Sequence, residues 1–418
     1  MKKTSVLIIG CGASGMIAGI MAARSGAAVT ILERQNKAGR KLLSTGNGRC
    51  NFTNLNQEME HYHSNNPGFY ESVLKQFSAQ DTIQFMKGIG VLSKNRSFFG
   101  EDGYMYPYSD QAKSVVDNLR SELEHLGVKI HYQVELKQPP YFRKKKNQFL
   151  VICNTGEYVS DRLILANGSI AAAKLGADDS GYMYAKSFGH RITPLKPSLV
   201  GICCEEQFLK EIAGIRITAN LSLYQIDDSN NRDVIAESSG EIQLTNYGVS
   251  GIPTFQLSRY VEKSNQCLQI DFMPDYPTEL LQTMLMMRKE QLYFKKTESF
   301  LIGLLPDLLA TLLIRMNKLS GKTVQDLTYQ QIFTLVNSIK NFTFVVKGTN
   351  SYDQAQVCSG GVDTREINPN TLESTLQSGL YIVGELLDVD GDCGGYNLQW
   401  AWASGAVAGM NVSRCVWL

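Results

Sequence analysis

Several features are scarce in this chain of 418 residues. No apolar run reaches the roughly 18 residues that a spanning helix needs, so no membrane-spanning segment is expected. No sign of charge dominates: 41 Lys and Arg stand against 40 Asp and Glu, a net charge of +1. That removes the global field that would draw nucleic acid or an anionic membrane. Cysteine occurs nine times, an odd number, and never as C-x-x-C. Cys203 and Cys204 are adjacent, a poor geometry for a disulfide. The cysteines therefore read as small buried groups of a reducing cytoplasm, without a redox-active dithiol. Only five His are present, and beyond His61-x-His63 none stands at metal-ligand spacing, so no metal site is expected. With 11 Pro, 19% charged and 43% hydrophobic residues, the chain is neither disordered nor fibrous.

The chain opens with Met1-Lys2-Lys3 and an apolar run, as a signal peptide does. Gly10, Gly12 and Gly15 then interrupt it and Arg24 follows, so the reading is a buried strand and a turn in a cytoplasmic protein. Residues 4–9 (TSVLII) suit a parallel strand covered on both faces. Met16 to Ser25 reads as a helix and Ala28 to Leu32 as a second strand, giving a β-α-β unit of about 30 residues. Residues 39–54 (GRKLLSTGNGRCNFTN) are rich in Gly, Asn, Ser and Thr and read as a long loop that needs a ligand or a function. Residues 69–88 have helical period, and a helix is expected over Ser109 to Leu126 with Ser109 as N-cap. Residues 128–152 alternate as strands do, with Arg143–Lys146 at a solvated hairpin turn. Residues 161–168 give a third buried strand.

Residues 195–272 are strand-like and 277–340 strongly helical. From Gln356 the chain returns to Gly-rich turns and buried strands, with Leu380–Gly384 the clearest. The layout is split: 1–194 and 349–418 form a nucleotide-binding domain, and 195–348 form a domain-sized insertion, β-rich at 195–272 and helical at 277–340.

Gly10-x-Gly12-x-x-Gly15 lies between a strand and a helix. The first Gly permits the tight turn, the second lets a pyrophosphate approach the backbone, and the third lets helix and strand pack. Glu33 ends the next strand, eighteen residues beyond Gly15, where an acid accepts hydrogen bonds from the adenosine ribose. It favours FAD or NAD over NADP, whose 2′-phosphate it would repel. The C-terminal end favours FAD. There a strand ends in Gly384-Glu385, and Gly394-Gly395-Tyr396-Asn397 opens a helix of small residues. The carboxylate can bond ribityl hydroxyls, and the helix N-terminus can face the flavin edge where negative charge accumulates on reduction. For Trp400 and Trp402 ordinary packing stands beside a functional reading.

The long motifs GRKLLSTGNGRCNFTN at 39–54 and GLYIVGELLDVDGDCGGYNLQWAWASGAVAG at 379–409 resemble those of the YhiN-like family of NAD(P)/FAD-dependent oxidoreductases. So do GYMYPYSDQA at 103–112, LANG at 165–168 and GEIQLTNYGVSGIPTFQLSR at 240–259. The family includes aminoacetone oxidases and BaiN-like flavoproteins linked to bile-acid reduction. The resemblance implies an α/β fold: a glutathione-reductase-type FAD-binding Rossmann domain with an inserted β-barrel-like and helical domain. It places non-covalent FAD on Gly10, Gly12, Ala13, Ser14, Gly15, Glu33 and Arg34, and on the loop at Lys41, Ser44, Gly48, Arg49, Cys50 and Asn51. It adds Val134, on the strand after His131, then Ala166, Asn167 and Gly168, where many relatives have Thr-Gly-Gly. From the C-terminal part it adds Gly384, Glu385, Gly395, Tyr396, Asn397, Leu398 and Gln399. Cys50 and His63 are the residues a covalent link would use.

Some readings remain open. Arg49 and Cys50 either meet FAD or merely order their loop. Tyr106 and Tyr108, beside Tyr104, either wall the substrate or are half-buried strand residues. Tyr247, between strand-like and helix-like stretches bracketed by Gly248 and Gly251, is the insertion's candidate to reach the substrate. Two functions compete. The first is hydride transfer between flavin N5 and a small organic substrate, with NAD(P)H, bound transiently, or oxygen as electron partner. The second is a flavoprotein acting in RNA modification or binding, favoured only by the basic turn at 143–146. The first carries the expectation of a small-molecule substrate and no nucleic-acid partner. No acid/base pair stands out, and the oligomeric state is not readable.

Overall fold

The computed structural model describes residues 2–98, 101–262 and 265–413. The chain divides into two compact units, Met1–Pro197 with Ala355–Leu418, and Ser198–Gln354.

The first unit starts as β1 (Lys2–Ile9), α1 (Ala13–Arg24) and β2 (Val29–Leu32). Helix α2 (Arg40–Gly48), the short strands β3 (Thr53–Asn54) and β4 (Tyr62–His63), and helices α3 (Pro67–Gln76) and α4 (Ala79–Gly88) follow. The hairpin β5 (Ser93–Phe98) and β6 (Glu101–Pro107) leads through α5 (Ala112–His125) to β7 (Lys129–His131), β8 (Tyr141–Arg143), β9 (Gln148–Cys153) and β10 (Gly156–Leu165). A seven-stranded sheet runs in the order β7-β2-β1-β10-β9-β8. Its seventh strand, Leu380–Ile382, pairs parallel to β10 at Leu163–Leu165. The strands β1, β2, β7 and β10 are mutually parallel where they pair, while β8 and β9 are antiparallel. Continuous burial from Val6 to Ile9 fits a sheet covered on both faces.

Three local expectations need correction. The stretch 39–54 is not all loop: it opens with α2, which breaks at Thr45 because Gly46 and Asn47 turn left-handed. The period over 69–88 belongs to two helices, because Ser78 and Asp81 form a capping box that restarts the chain at Ala79. Helix α5 begins at Ala112 with Gln111 as N-cap, and Ser109 instead bonds the Ser114 hydroxyl.

In the second unit, six strands close a barrel: β11 (Ile202–Cys204), β12 (Arg216–Ile226), β13 (Arg232–Thr245), β14 (Gly248–Ser250), β15 (Gln266–Asp271) and β16 (Phe342–Thr349). Closure comes from the antiparallel pairing of β11 with β16. Between β15 and β16 the chain forms α6 (Thr278–Gln291), α7 (Asp307–Met316) and α8 (Tyr329–Lys340). Their apolar faces, including Leu281, Leu313 and Leu335, join barrel residues such as Leu221, Leu223 and Phe344 in one core. Gly248 opens β14 directly after the turn at Asn246 and Tyr247, and a Cβ there would lie 2.1 Å from the Ile202 oxygen. Tyr247 lays its ring over Gly201, whose Cβ would sit 2.7 Å from the phenol oxygen.

Near its C-terminal end the first unit adds β17 (Leu380–Ile382) and α9 (Tyr396–Val412). Helix α9 packs closely on α1, where Gly405 and Gly409 would, with a Cβ, strike backbone oxygens of Ser14 and Ala18 at 2.4 and 2.5 Å.

Candidate functional site

The three fingerprint glycines are not equivalent. A Cβ on Gly10 would lie 2.4 Å from the Ala166 oxygen, and one on Gly15 would lie 2.1 Å from the Gly10 oxygen. Both are closed by packing. Gly12 is different: a Cβ there would meet nothing within 4 Å. It caps α1 with no side-chain hydrogen bond, and the first turn carries no acid. The turn therefore presents open space to the uncapped N–H groups of a helix start, which suits a bound phosphate. Ser14 closes the rear of the turn, lying 2.5 Å from where a Gly384 Cβ would be.

At one end of this turn the Glu33 carboxylate accepts hydrogen bonds from the Cys11 N–H at 2.8 Å and the Gln35 N–H at 2.7 Å. Val134 donates its N–H to the Glu33 carbonyl at 3.0 Å, which brings it beside Glu33. It lies just past β7, which ends at His131, rather than on the strand. Arg34 pairs with Asp178 and donates to the Gly176 carbonyl at 2.7 Å. A polar groove of about 840 Å³, lined by Arg34, Gln35, Lys37, Arg40 and Gln133 among others, adjoins this end.

At the far end, three donors hold the Glu385 carboxylate: Lys41 Nζ and Ser169 Oγ, each at 2.6 Å, and the Cys358 N–H at 3.1 Å. Glu385 is thus one half of an ion pair rather than a free acceptor. Gly395, at φ 99°, starts α9, and a Cβ there would lie 2.7 Å from the Thr53 oxygen and 3.0 Å from Asn51 Oδ1. Asn51 Oδ1 and Asn167 Oδ1 are buried without a hydrogen-bond partner. Two orphaned acceptors and the open face of Gly12 are what an absent polar ligand such as FAD would satisfy. The residues present therefore fit a flavin dinucleotide.

Other expected contacts fall elsewhere. The Gln399 amide is fully buried and satisfied by Thr53 (2.7 Å), Thr82 (2.8 Å) and the Phe77 carbonyl (3.0 Å). It fastens α9 to β3 and α4, with its oxygen accepting twice and one Nε2 hydrogen donated inside the protein. The Asn397 amide is spent on both backbone groups of Gly391. Leu398 packs on the apolar core. Trp400 and Trp402 are buried, each N–H bonded to a carbonyl, of Gly384 and Phe52 respectively, so packing explains both. Ser44 bonds the Lys41 carbonyl within α2. Gly48 (φ 80°) and Gly168 (φ 75°) supply left-handed turns, and Ala166 donates its N–H to Ile9. Burial pushes the Cys50 thiol up to about 12, so it is no nucleophile for a covalent link. Arg49 is exposed at the end of α2, with its charge acting on Tyr106. Tyr106 is buried, whereas Tyr108 is 69% exposed.

Sequence reasoning missed one cluster. Strand β4 pairs antiparallel with Asp390–Gly391, with His63 opposite Asp390. This brings Asp392 between two imidazoles, 3.1 Å from His61 Nδ1 and 2.9 Å from His63 Nε2. The His61 ring stacks on Tyr396 with centroids 4.4 Å apart, at the first turn of α9. Asn56 Nδ2 faces His61 Nε2 at 3.3 Å, and Asn56 Oδ1 accepts the Glu58 N–H. That fixes the Asn56 amide, so His61 Nε2 is an acceptor and Nδ1 carries the proton. Bonding to Asp392 raises the His61 pKa against the opposing effect of burial. Burial pushes Asp392 up, but its bonds from His61 and His63 outweigh this and hold it below the ordinary value. The spacing His61-x-His63 was the available clue, although His61 ends a 3-10 turn and only His63 lies in β4. Among the described residues no cluster can hold a metal ion, and no helix is long and apolar enough to cross a membrane.

The family profile described as "HI0933-like protein Rossmann domain" matches residues 4–411. The 3-dehydro-bile acid delta(4,6)-reductase of Clostridium scindens is 39% identical over 410 residues, 96% of this chain and 97% of that protein. A ribosomal RNA dihydrouridine synthase of Haemophilus influenzae is 31% identical over 411 residues, 98% of each. Among solved structures, a flavocytochrome c3 fumarate reductase aligns with a TM-score of 0.49 at 15% identity, over 99% of this chain and 78% of that one.

Proposed function

The chain belongs to the HI0933-like Rossmann family, and from that premise we propose that it is an FAD-dependent oxidoreductase that reduces a carbon–carbon double bond conjugated to a carbonyl. The names of the two relatives share this chemistry, since a 3-oxo-4,6-diene and a uracil ring both carry such a bond. Reduction puts a hydride on one carbon and a proton on its neighbour. Bound FAD supplies the hydride chemistry at N5.

The observation that carries the reading is the cluster of Asp392 with His61 and His63 at the start of α9, in the same unit as the open fingerprint turn. Gly12 and the N-terminus of α1 would take the pyrophosphate, with Glu33 and Val134 at the adenosine end. Lys41, Glu385, Asn51 and the N-terminus of α9 would hold the flavin half. His63 Nε2 lies 2.9 Å from the Asp392 carboxylate, an acceptor for its N–H. Asp392 positions both rings and stabilises an imidazolium, so the pair can store the proton the reaction consumes. NAD(P)H as a transient donor and a small organic acid as substrate complete the proposal.

The test is anaerobic. Protein with its flavin reduced is mixed with a 3-oxo-4,6-diene steroid acid or, separately, with a uridine-containing ribosomal RNA transcript. Flavin reoxidation with gain of two hydrogens by the steroid supports the proposal. Reoxidation by the transcript alone transfers the same chemistry to RNA, and reoxidation by neither defeats it.

A further inference from the structure

The hairpin β5–β6 carries a cluster that neither the cofactor nor the proton store uses. It is contiguous with the site: Tyr104 and Tyr106 of β6 lie 3.0 and 3.3 Å from where Cβ atoms on Gly394 and Gly46 would stand. Beyond them the Arg96 guanidinium lies over the Tyr106 ring at 5.1 Å and Lys94 lies over the Tyr108 ring at 5.4 Å. Both cations share a single carboxylate, Asp110, with Arg96 at 2.6 Å and Lys94 also in direct contact. Two positive charges thus meet one negative charge.

A basic patch is usually a solvated face. Here the side chains of Lys94 and Arg96 are only 28% and 27% exposed and rest on rings. A guanidinium stacked by its face keeps its edge for a planar oxyanion. Asp110 is bound to Lys94 and then Arg96, which keeps its carboxyl below the usual range, yet one negative charge cannot neutralise two positive ones.

We propose that Arg96 and Lys94, seated on Tyr106 and Tyr108, form an anchor for an oxyanion carried by the substrate. The inference rests on the oxidoreductase reading for its location beside the flavin half of the site. The shared chemistry is a carboxylate or a phosphate held by charge-assisted, partly bidentate hydrogen bonds. A steroid acid would offer the first and a nucleotide the second.

The test measures binding to the oxidised, FAD-loaded protein by calorimetry, so no turnover is required. The probes are a 3-oxo-4,6-diene steroid acid, its methyl ester, uridine 5′-monophosphate and uridine. The anchor predicts that one anion binds about tenfold or more tighter than its neutral partner. Which pair shows the preference tells whether the oxyanion is a carboxylate or a phosphate. Lys94→Gln/Arg96→Gln should erase the preference while leaving binding of the neutral probe unchanged. Asp110→Asn, which frees the cations, should strengthen the preference by about threefold. Lys145→Gln, in the exposed basic turn, should alter nothing. Melting temperature and the flavin spectrum check the fold of each variant, and Arg96→Lys, which keeps the charge, should retain part of the preference. Equal binding of anion and neutral partner, a uniform loss for both in the double variant, or no binding of any probe overturns the anchor. If anion-selective binding persists without any reduction, the proposed reaction fails and the anchor stands.

Discussion

The two ends of the cofactor cleft hold charge in different ways. Around Gly12 the protein offers backbone: an uncapped helix start, open space and a carboxylate, Glu33, fastened by two backbone N–H groups. Toward α9 it offers paired side chains: Glu385 with Lys41, Asp392 with His61 and His63, and Asp110 with Lys94 and Arg96. Backbone donors do not titrate, and preformed N–H groups need no reorganisation. The first end is thus suited to constant binding. The second changes its charge with pH and is suited to chemistry that moves protons.

The sharpest way to break this contrast is at the glycines. Gly12→Leu should leave the apo-protein folded, because the backbone there has φ −84° and a Cβ meets nothing. It should lower FAD affinity by at least about a hundredfold, because the side chain fills the phosphate space. Gly15→Ala should do the reverse: a Cβ 2.1 Å from a backbone oxygen forces the turn apart, at a cost of about 3 kcal/mol in stability. Melting curves of the two apo-proteins with a flavin titration of each separate the outcomes. A Gly12→Leu protein that still binds FAD tightly would refute the assignment of the turn.

Asp392→Asn probes the titrating end. Loss of the positioning carboxylate should cut kcat about a hundredfold near neutral pH while FAD affinity stays within a few-fold. The His61 pKa is raised in the folded protein, so its protonated pair stabilises the fold below the ordinary value of 6.5 and the benefit is lost as pH rises through the raised value. Asp392 is held low, so its contribution is present above its ordinary value of 3.8 and lost as pH falls through the lowered one. These are two views of one interaction. In the variant, histidine NMR should show the His61 pKa falling back, with a melting curve measured alongside because unfolding would also lower it.

The same contrast explains what could be read in advance. The fingerprint end comes from residues 10–33 in order, so spacing alone gives Gly10, Gly12, Gly15 and Glu33 their places. The far end draws on residues 46–63, 104–106, 167 and 384–397. Asp392 lies 329 residues from His63, and no spacing rule spans that separation. Spacing hid the barrel closure for the same reason, since the β-rich character of 195–272 is local but its last strand, β16, arrives only at Phe342, and the barrel was expected from the family resemblance alone. Local errors were chemical: a capping box inside a helical period at Ser78, and a Ser at position 109 that bonds a hydroxyl instead of a helix start.

A smaller effect is expected at Glu33. Glu33→Ala removes the acceptor proposed for the ribose and also frees the N–H groups of Cys11 and Gln35. FAD binding should weaken by about 1.5–3 kcal/mol, with the flavin's redox behaviour unchanged because the contact is at the adenosine end. A titration with a reduction potential measured alongside decides it, and a shifted potential with unchanged affinity would contradict the assignment.

The smallest change is expected at Cys50, although it sits in the most distinctive loop. Its thiol is fully buried and pushed up to about 12. A thiol that stays protonated at neutral pH neither attacks a flavin nor enters a disulfide at a useful rate. Its value is space-filling, at a left-handed φ of 64° that Ala would share at similar strain. Cys50→Ala should therefore cost less than about 1.5 kcal/mol and leave flavin content intact. Acid precipitation of the natural protein should release all of its flavin into the supernatant. Flavin retained in the pellet of the natural protein but lost from that of the variant would show a covalent bond at Cys50, and the inert reading of its burial would fall.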